Sequence, residues 1–304
     1  MKLIVQPDAG VTPIVTAIKQ ARKTIDVLIF RLDRPEVIRA LEAAVARGVN
    51  VRALIAHTNR GGEKSLRKLE LRLLASGLSV SRTADELVRY HGKMIIVDNR
   101  LLHVYGFNFT AFDIDKSRSF GITTRNKRLV QEALKLFEAD SARQPYTPGY
   151  DRFVVSPENA REELSAFLKA ARRQLLIYDP KVSDSAMLRL LVERQKAGVE
   201  IKIIGRLGGM KSELVAEKYP GKRLHIRAII RDGRRAFMGS QSLRKLELEK
   251  RREIGVIIHD ETVVRQMQTI WEEDWARTDS GKKEAKKAQK AEKKTGKEFA
   301  AASL

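Results

Sequence analysis

HGKMIIVDNRLLHVYGFN, residues His91–Asn108, combines charged side chains with two apolar runs of strand length. His91 and Lys93 are two positions apart, so both side chains point to the same face if the segment is an extended strand. The apolar run Met94–Val97 follows, and Asp98 comes directly after it. A single copy of this pattern is equally compatible with a surface His and Lys at a strand edge. A buried copy would place an imidazole and an ammonium group in one space that suits an anionic ligand.

The same arrangement occurs again later in the chain, as HIRAIIRD in the segment His225–Asp232. The histidine, a cation two positions on and an aspartate seven positions on all recur. Upstream, Ala17–Ile25 matches Phe167–Leu175 in the same order relative to the motif. The repeating unit of roughly 135–150 residues is too long for a solenoid repeat. The chain therefore contains a duplication, and a coincidental pair of surface histidines becomes a poor explanation.

Strand and helix patterns alternate within each copy, which predicts an α/β fold made of two duplicated halves. We expect a first half over residues 1–145 and a second half over 146–276, followed by a flexible Lys-rich tail over 277–304. The patterns in the first copy predict the helices Val11–Lys23, Pro35–Arg47, Glu63–Ala75 and Lys127–Ala139, and the strands Ile25–Phe30, Val49–Ala56, Leu78–Thr83 and Ser119–Thr124.

Composition limits the chemistry and suggests the partners. The 304 residues include no cysteine, which excludes a disulfide, a thiolate nucleophile and a Cys-based zinc site. No apolar run reaches membrane-spanning length, so we expect a cytoplasmic protein. The net charge of +21 predicts attraction to a polyanion, either nucleic acid or an anionic membrane to which the protein would bind peripherally.

At these residues the chain resembles the phospholipase D superfamily, and in particular bacterial members similar to cardiolipin synthase and phosphatidyltransferases. The family signature is H-x-K-x4-D-x6-G-S-x-N, and the resemblance extends to about residue 275. Two departures lie in the second copy, where Arg227 replaces the usual Lys and Ser242 replaces the usual Asn. The matching positions are His91, Lys93, Asp98 and Asn108 in the first copy and His225, Asp232, Gly239 and Ser240 in the second.

The resemblance implies two α/β halves, with mixed sheets flanked by helices, packed about a pseudo-twofold axis with a shared site at their interface. It also implies a covalent phosphohistidine, with His91 as the nucleophile and His225 as the general acid and base. Lys93 and Arg227 would stabilise the phosphoryl oxygens. Such a reaction needs no metal ion or other cofactor.

Further polar residues would support this site. Asn108, Ser240 and Ser242 are candidates to donate hydrogen bonds to the phosphoryl oxygens. Asp98, Asp232 and Glu253 are candidates to hold an imidazole in its useful tautomer, and the sequence does not decide which carboxylate serves which histidine. Since one chain supplies both histidines, a monomer would be sufficient.

Three functions remain open at this point. The first is hydrolysis of a phospholipid, or transfer of phosphatidyl groups between alcohols as in cardiolipin synthases. The second is a metal-independent nuclease acting on DNA or RNA phosphodiesters. The third is a catalytically weak, basic protein that binds polyanions. The low aromatic content of 6% mildly favours lipid over nucleic acid, because single-stranded bases stack on aromatic side chains.

The glycine-rich segment Gly205–Lys211 superficially resembles a phosphate-binding loop. It departs from the pattern GxxxxGK because residue 210 is a methionine. We therefore expect a strand-to-helix loop that lines the cleft. His57, His103 and His259 are expected to be structural.

Overall fold

The computed structural model describes residues 1–57, 63–208, 214–221 and 223–302. The first half contains the strands β1 (Lys2–Gln6), β2 (Thr24–Ile29), β3 (Asn50–Ile55), β4 (Ser79–Arg82), β5 (Arg89–Tyr90), β6 (Met94–Val97), β7 (Leu101–Tyr105) and β8 (Ser119–Thr124), and the helices α1 (Thr12–Gln20), α2 (Pro35–Ala46), α3 (Glu63–Ala75), α4 (Ala111–Lys116) and α5 (Lys127–Ser141).

The second half repeats most of this succession, but no counterpart of α3 or β5 occurs among its described residues. It contains the strands β9 (Phe153–Ser156), β10 (Gln174–Val182), β11 (Glu200–Leu207), β12 (Val215–Glu217), β13 (Ala228–Arg231), β14 (Arg235–Gly239) and β15 (Arg251–Ile258), and the helices α6 (Ala160–Lys169), α7 (Ser185–Lys196), α8 (Lys245–Glu249), α9 (Glu261–Ala276) and α10 (Asp279–Ala302).

The two sheets have the same strand order. The first is ordered β1-β8-β7-β6-β2-β3-β4, and the second β9-β15-β14-β13-β10-β11-β12. Strand β5 of the first half is added to the second sheet, where it pairs in parallel with the start of β15. In the first sheet Val27 lies opposite Ala53 of parallel β3 and opposite Ile95 of antiparallel β6. The duplicated, mixed α/β fold predicted from the sequence is therefore confirmed.

The chain forms five layers, because each sheet is apolar on both faces. The outer face of the first sheet packs against α1–α3, with Ile14 fully buried, and the outer face of the second packs against α6 and α7, with Leu164 fully buried. The two inner faces share one core with α5 and α9, which contribute Phe137 and Trp271. Each such buried side chain stabilises the fold by roughly 1.5–3 kcal/mol, so this shared core holds the halves together.

The helices of the shared core begin with equivalent caps. The side chain of Asn126 accepts a hydrogen bond from the Leu129 amide at the start of α5. Asp260 does the same for the Thr262 and Val263 amides at the start of α9. Such caps satisfy amides that have no partner within the helix, and each typically stabilises by about 1 kcal/mol.

Reciprocal ion pairs cross the interface between the halves. Arg118, just before β8, contacts Asp274 of α9 at 3.1 Å. Arg252, in β15, contacts Asp140 of α5 at 2.9 Å. The two arginines occupy equivalent positions of the two copies, and so do the two aspartates, so one contact is made twice with the halves exchanged. This reciprocity is what an approximate twofold relation between the halves produces.

Several sequence-based bounds need correction. The first helix is shorter than predicted, and the edge strands β1 and β9, which were not predicted, are only five and four residues long. The segment 91–93 is not part of strand β6, although both of its polar side chains are buried. A Cβ atom at Gly92 would come within 2.5 Å of the Ile254 side chain, so any other residue here would have to displace this side chain of the opposite half.

The tail forms helix α10 through Ala302. Glu284 in its first turns contacts Lys202 of β11 at 3.0 Å and accepts a hydrogen bond from Trp275 at 3.1 Å. The domain boundaries themselves remain a prediction. Among the described residues, no helix is both long and apolar enough to cross a membrane.

Candidate active site

Two histidines, one from each half, are fixed by backbone contacts across the interface. The His91 amide donates to the carbonyl of Arg252 at 2.7 Å, and the His225 amide donates to the carbonyl of Arg118 at 2.9 Å. These are the two arginines of the reciprocal ion pairs. The side chains of both histidines are buried, with 8% of His91 and 6% of His225 exposed. Packing of the two halves therefore sets the positions of both imidazoles.

The imidazole of His91 is oriented by a carboxylate from the second half. Nδ1 of His91 lies 2.8 Å from Oε2 of Glu253, which is fully buried. Burial lowers the pKa of His91 well below its usual value, and the positive charges of Lys93 and Arg227 lower it further. Burial also raises the pKa of Glu253. A proton held on Nδ1 by this contact leaves Nε2 as the nitrogen with a free lone pair.

The imidazole of His225 faces a carboxylate from the first half, at a longer distance. Nδ1 of His225 lies 3.5 Å from Oδ2 of Asp113 and makes no hydrogen bond within the described part of the chain. Asp113 also accepts from the amide and side chain of Asn108 and from Arg223. Burial alone would raise the pKa of Asp113, but His225, Asn108 and Arg223 outweigh it and lower the pKa to about 2.

Two cations lie with these histidines. Lys93 is 1% exposed, and its Nζ has no hydrogen-bond acceptor among the described residues. Burial lowers the pKa of Lys93 to about 7. Arg227 donates from Nε to the Ser242 hydroxyl at 3.3 Å and lies 4.0 Å from Glu247. An ammonium group that is buried without an acceptor indicates a site shaped for an anion.

Three predicted phosphate donors are engaged within the protein. Asn108 donates from Nδ2 to Asp113 at 2.7 Å. Ser240 contacts the backbone of Ile254 at 3.1 and 3.4 Å, and the Ser242 hydroxyl accepts from Arg227. Asn108 and Ser242 therefore hold charged side chains of the site, and Ser240 holds the backbone next to Glu253.

The aspartates of the two motifs lie elsewhere. Asp98 accepts hydrogen bonds from the backbone amides of Arg22, Lys23 and Thr24 at 2.7–3.1 Å. Asp232 accepts from the equivalent amides in the second half at 2.7–3.3 Å. The expectation that either aspartate orients an imidazole is wrong, because both anchor the turn before β2 or β10. Of the three candidate carboxylates, only Glu253 contacts a histidine.

A family model described as "Cardiolipin synthase, PLD-like domain" matches residues 14–141 and 164–275, which together are most of the chain. The chain belongs to the phospholipase D superfamily. Both matched segments contain one of the two histidines, in agreement with the duplication seen in the sequence and in the sheets.

Viral phospholipases are similar to part of the chain. The envelope phospholipases of monkeypox virus and of vaccinia virus (strain Western Reserve) are each 28% identical over 110 residues, which is 35% of this chain and 29% of the relative. The chain thus spans less than a third of the length of the curated relatives it matches.

Two solved structures share the fold. Phosphatidylserine synthase from Haemophilus influenzae Rd KW20 has a TM-score of 0.66 at 11% identity, covering 88% of this chain and 84% of its own. Polyphosphate kinase from Porphyromonas gingivalis has a TM-score of 0.74 at 20% identity, covering 89% of this chain and 49% of its own. At these identities, the likenesses show the phospholipase D fold alone.

Sequence reasoning missed three charged residues of this phospholipase D-like site: Asp113, Glu247 and Arg223. The signal was present, because Asp113 and Glu247 occupy equivalent positions of the two copies, as the two histidines do. Arg223 and its counterpart Arg89 likewise each lie two positions before a histidine. Extending the comparison of the two copies beyond the signature would have found all three.

The other histidines lie outside the pair. His103 is buried and stacks on Tyr105 with ring centroids 5.8 Å apart, and burial lowers its pKa to about 4. The His57 amide donates to the Thr83 hydroxyl. His259 follows β15, directly before α9 and its cap. The last part of the glycine-rich loop, residues 209–211, lies outside the described residues.

Proposed function

We propose that the protein is a phospholipase D-like phosphodiesterase that acts through a phosphohistidine, either hydrolysing phospholipid or transferring phosphatidyl groups to an alcohol. The observation that carries this proposal is the crossed pairing at the interface. Each half supplies one buried imidazole, and each imidazole meets a carboxylate of the opposite half. Lys93 and Arg227 provide positive charge for the phosphate between them.

In the first step, Nε2 of His91 attacks phosphorus while the bond to the leaving alcohol breaks. A neutral imidazole suits this attack because it carries no charge that an anionic phosphodiester would repel. The lowered pKa of His91, due first to burial and then to Lys93 and Arg227, keeps it neutral at pH 7. His225 gives its proton to the departing alkoxide.

The proton on His225 has to be favoured by the substrate. Burial and the charge of Arg227 lower the pKa of His225 well below its usual value in the free protein. A bound phosphodiester adds a negative charge beside both groups and so stabilises the imidazolium. This arrangement couples protonation of the acid to arrival of the substrate.

In the second step, His225 takes a proton from water or from an acceptor alcohol. The oxygen attacks phosphorus, and the bond to His91 breaks with its electron pair returning to Nε2. Water gives hydrolysis and an alcohol gives transfer, so the acceptor that reaches His225 decides the product.

Apolar side chains beside the site favour a lipid. A cavity of about 410 Å³ adjoins Asn108 and Asp113 and is lined by Leu32, Leu66 and Phe112 among others. Phe112 is 55% exposed at this position, and the guanidinium of Arg223 lies 4.7 Å from the centre of its ring, so an apolar ring and a cation lie together at the cavity. The phospholipase relatives agree with this interpretation.

One observation favours nucleic acid as a second candidate substrate. The ring of Phe30 contacts the imidazole of His91 at 4.6 Å, and the cations of Arg31, Arg89 and Lys93 lie 5.4–5.6 Å from its centre. Two arginines and a lysine around one ring suit a ligand with more than one phosphate.

The test is turnover in EDTA on phosphatidylcholine and phosphatidylglycerol vesicles, with plasmid DNA in parallel. We expect release of head group, or head-group exchange when an alcohol is added, and none with His91→Ala. DNA nicking without lipid turnover would show that the protein is a nuclease and would contradict the lipid proposal. If neither substrate turns over while the wild type still binds both, the protein is a polyanion-binding member without catalysis.

A further inference from the structure

A cationic groove lies at the far end of the first sheet from the histidines. His91 lies before strand β6 and Asp98 directly after it, so the two are at opposite ends of a strand whose four residues alone span roughly 13 Å at about 3.3 Å each. At the Asp98 end, a cavity of about 700 Å³ adjoins a second cavity of about 370 Å³. Arg100 and Arg125 line both cavities, so the two form one groove.

The groove contains six cations and one carboxylate. Two of the cations lie in helices and four lie in connections between elements; they are Lys19, Arg22, Arg47, Arg100, Arg125 and Lys127. Asp98, the one carboxylate among the described lining residues, is already engaged by three backbone amides. None of the six cations forms an ion pair within the described part of the chain. Arg22 interacts electrostatically with Asp98, and this one carboxylate leaves most of the positive charge of the groove uncompensated.

Helix ends explain only part of this charge. Lys19 lies in the last turn of α1, and Arg47 follows α2, where a cation balances the carbonyl ends of the helix. Arg47 also donates to the Ile18 carbonyl at 3.1 Å. Arg100 lies in the turn between two strands and Arg125 follows β8, so neither compensates a helix end.

The second half shows that the fold does not require all six of these cations. Asp232 anchors its turn as Asp98 does. Three of the cations have counterparts in the second half, since Lys169, Arg172 and Arg234 correspond to Lys19, Arg22 and Arg100. At the other equivalent positions, however, Ala197 replaces Arg47, His259 replaces Arg125 and Glu261 replaces Lys127. The anchor is thus common to both halves, whereas three of the six cations belong to the first half alone.

We propose that this groove binds a soluble oligophosphate, at a site separate from the catalytic histidines. Guanidinium groups match phosphate oxygens in pairs, and several phosphates in one ligand would neutralise several of the cations at once. No aromatic side chain lines the groove in the described residues, so it offers no surface for stacking bases. The exposed large apolar side chains, such as Leu71 and Val215, also lie outside it, which disfavours a membrane surface.

The test is calorimetric titration of the full chain with inorganic tripolyphosphate at about 0.15 M salt, where distant surface charges are screened. Arg100→Gln combined with Arg125→Gln should weaken binding at least about tenfold, because both residues line both cavities. The matched control combines Arg172→Gln with Arg234→Gln in the second half. Both double variants lower the net charge by two, and thermal unfolding of each checks that it folds.

The outcomes separate the alternatives. A loss confined to the Arg100 and Arg125 variant, with phosphodiesterase turnover within about twofold of wild type, supports the groove. Equal losses in both double variants would show a general charge effect, and no change in either would place the ligand at the histidines; both results overturn the proposal. It is also overturned if only binding to phosphatidylglycerol vesicles or to duplex DNA, and not to tripolyphosphate, depends on Arg100 and Arg125.

Discussion

His91 and His225 occupy equivalent positions in the two halves, yet their Nδ1 atoms lie 2.8 Å and 3.5 Å from their carboxylates. The cause is a difference at one pair of equivalent positions. Glu253 at the start of β15 reaches the imidazole of His91. Ser119 takes the corresponding position in β8, and its hydroxyl reaches only the backbone carbonyl of His225, at 3.4 Å.

This difference favours separate roles for the two histidines. His91, which has the shorter carboxylate contact, has a fixed tautomer and an oriented Nε2 atom, as a nucleophile requires. The other meets Asp113, whose oxygens also serve Asn108 and Arg223, and it must gain and lose a proton during the reaction. Duplication thus gave two similar half-sites, and a change from one side chain to another made them unequal.

Trapping the covalent intermediate would test whether His91 and His225 have different roles, and it has the largest expected effect of the experiments proposed here. In His225→Ala, a p-nitrophenyl phosphodiester needs no acid for its leaving group, but the second step lacks its base. We expect a phosphorylated peptide containing His91 and a turnover loss of roughly 10²–10⁴-fold. Peptide mass spectrometry after an alkaline quench would detect it. An adduct on His225 in His91→Ala would reverse the roles.

Removing the charge of each carboxylate compares the two contacts directly. Glu253→Gln should lower kcat by roughly 100-fold with little change in KM, because a misoriented nucleophile costs about that much. Asp113→Asn should cost about tenfold, since its contact with the imidazole is longer. Steady-state kinetics on the p-nitrophenyl ester measure both. Equal losses in the two variants would remove the distinction between the half-sites.

The cations of the two motifs should differ in their response to pH. Burial lowers the pKa of Lys93 to about 7, so the free protein loses this charge as the pH rises through 7. On the p-nitrophenyl ester, whose leaving group does not need the proton of His225, we expect kcat/KM to fall above about pH 7, since that ratio reports groups of the free enzyme. Lys93→Arg copies the Arg227 of the second half and keeps its charge, so its kcat/KM should hold to about pH 9. A fall near pH 7 in this variant would assign the titration to another group.

The two anchoring aspartates, Asp98 and Asp232, should contribute equally to the stability of the two halves. Asp98→Ala and Asp232→Ala should each lower the free energy of unfolding by about 1–3 kcal/mol, because backbone amides lose their acceptor. Urea unfolding measures this, and turnover should stay within about twofold. A large loss of turnover with little loss of stability would show that these aspartates do take part in catalysis.

The pH dependence of this anchoring has a definite sign. Burial favours the neutral carboxyl, but the amide hydrogen bonds outweigh it and lower the pKa of Asp98 and of Asp232 below the ordinary value. The anchors therefore contribute fully above the ordinary carboxyl pKa, and their contribution is lost as the pH falls through the folded-state value. The Ala variants should approach wild-type stability in acid.

The anchors also show why sequence reasoning failed where it did. A repeated spacing of seven positions placed Asp98 and Asp232 near their histidines along the chain. In the structure strand β6 or β13 separates each aspartate from its histidine, so the two lie at opposite ends of a strand. Spacing along the chain predicts that two side chains lie close together only where the segment between them is short. Here the segment includes a whole strand, so the histidine and the aspartate lie at its two ends.

By itself, the sequence determined the duplication, the α/β class and the pair of histidines with their cations, because apolar periodicity and repeated motifs are local patterns. Only the tertiary structure decided which carboxylates reach the imidazoles. Glu253 is 162 residues from His91 along the chain, and Asp113 likewise lies in the opposite half from His225. These contacts exist because the two sheets pack on α5 and α9 in one shared core, which brings the start of each half's last strand against the other half's histidine.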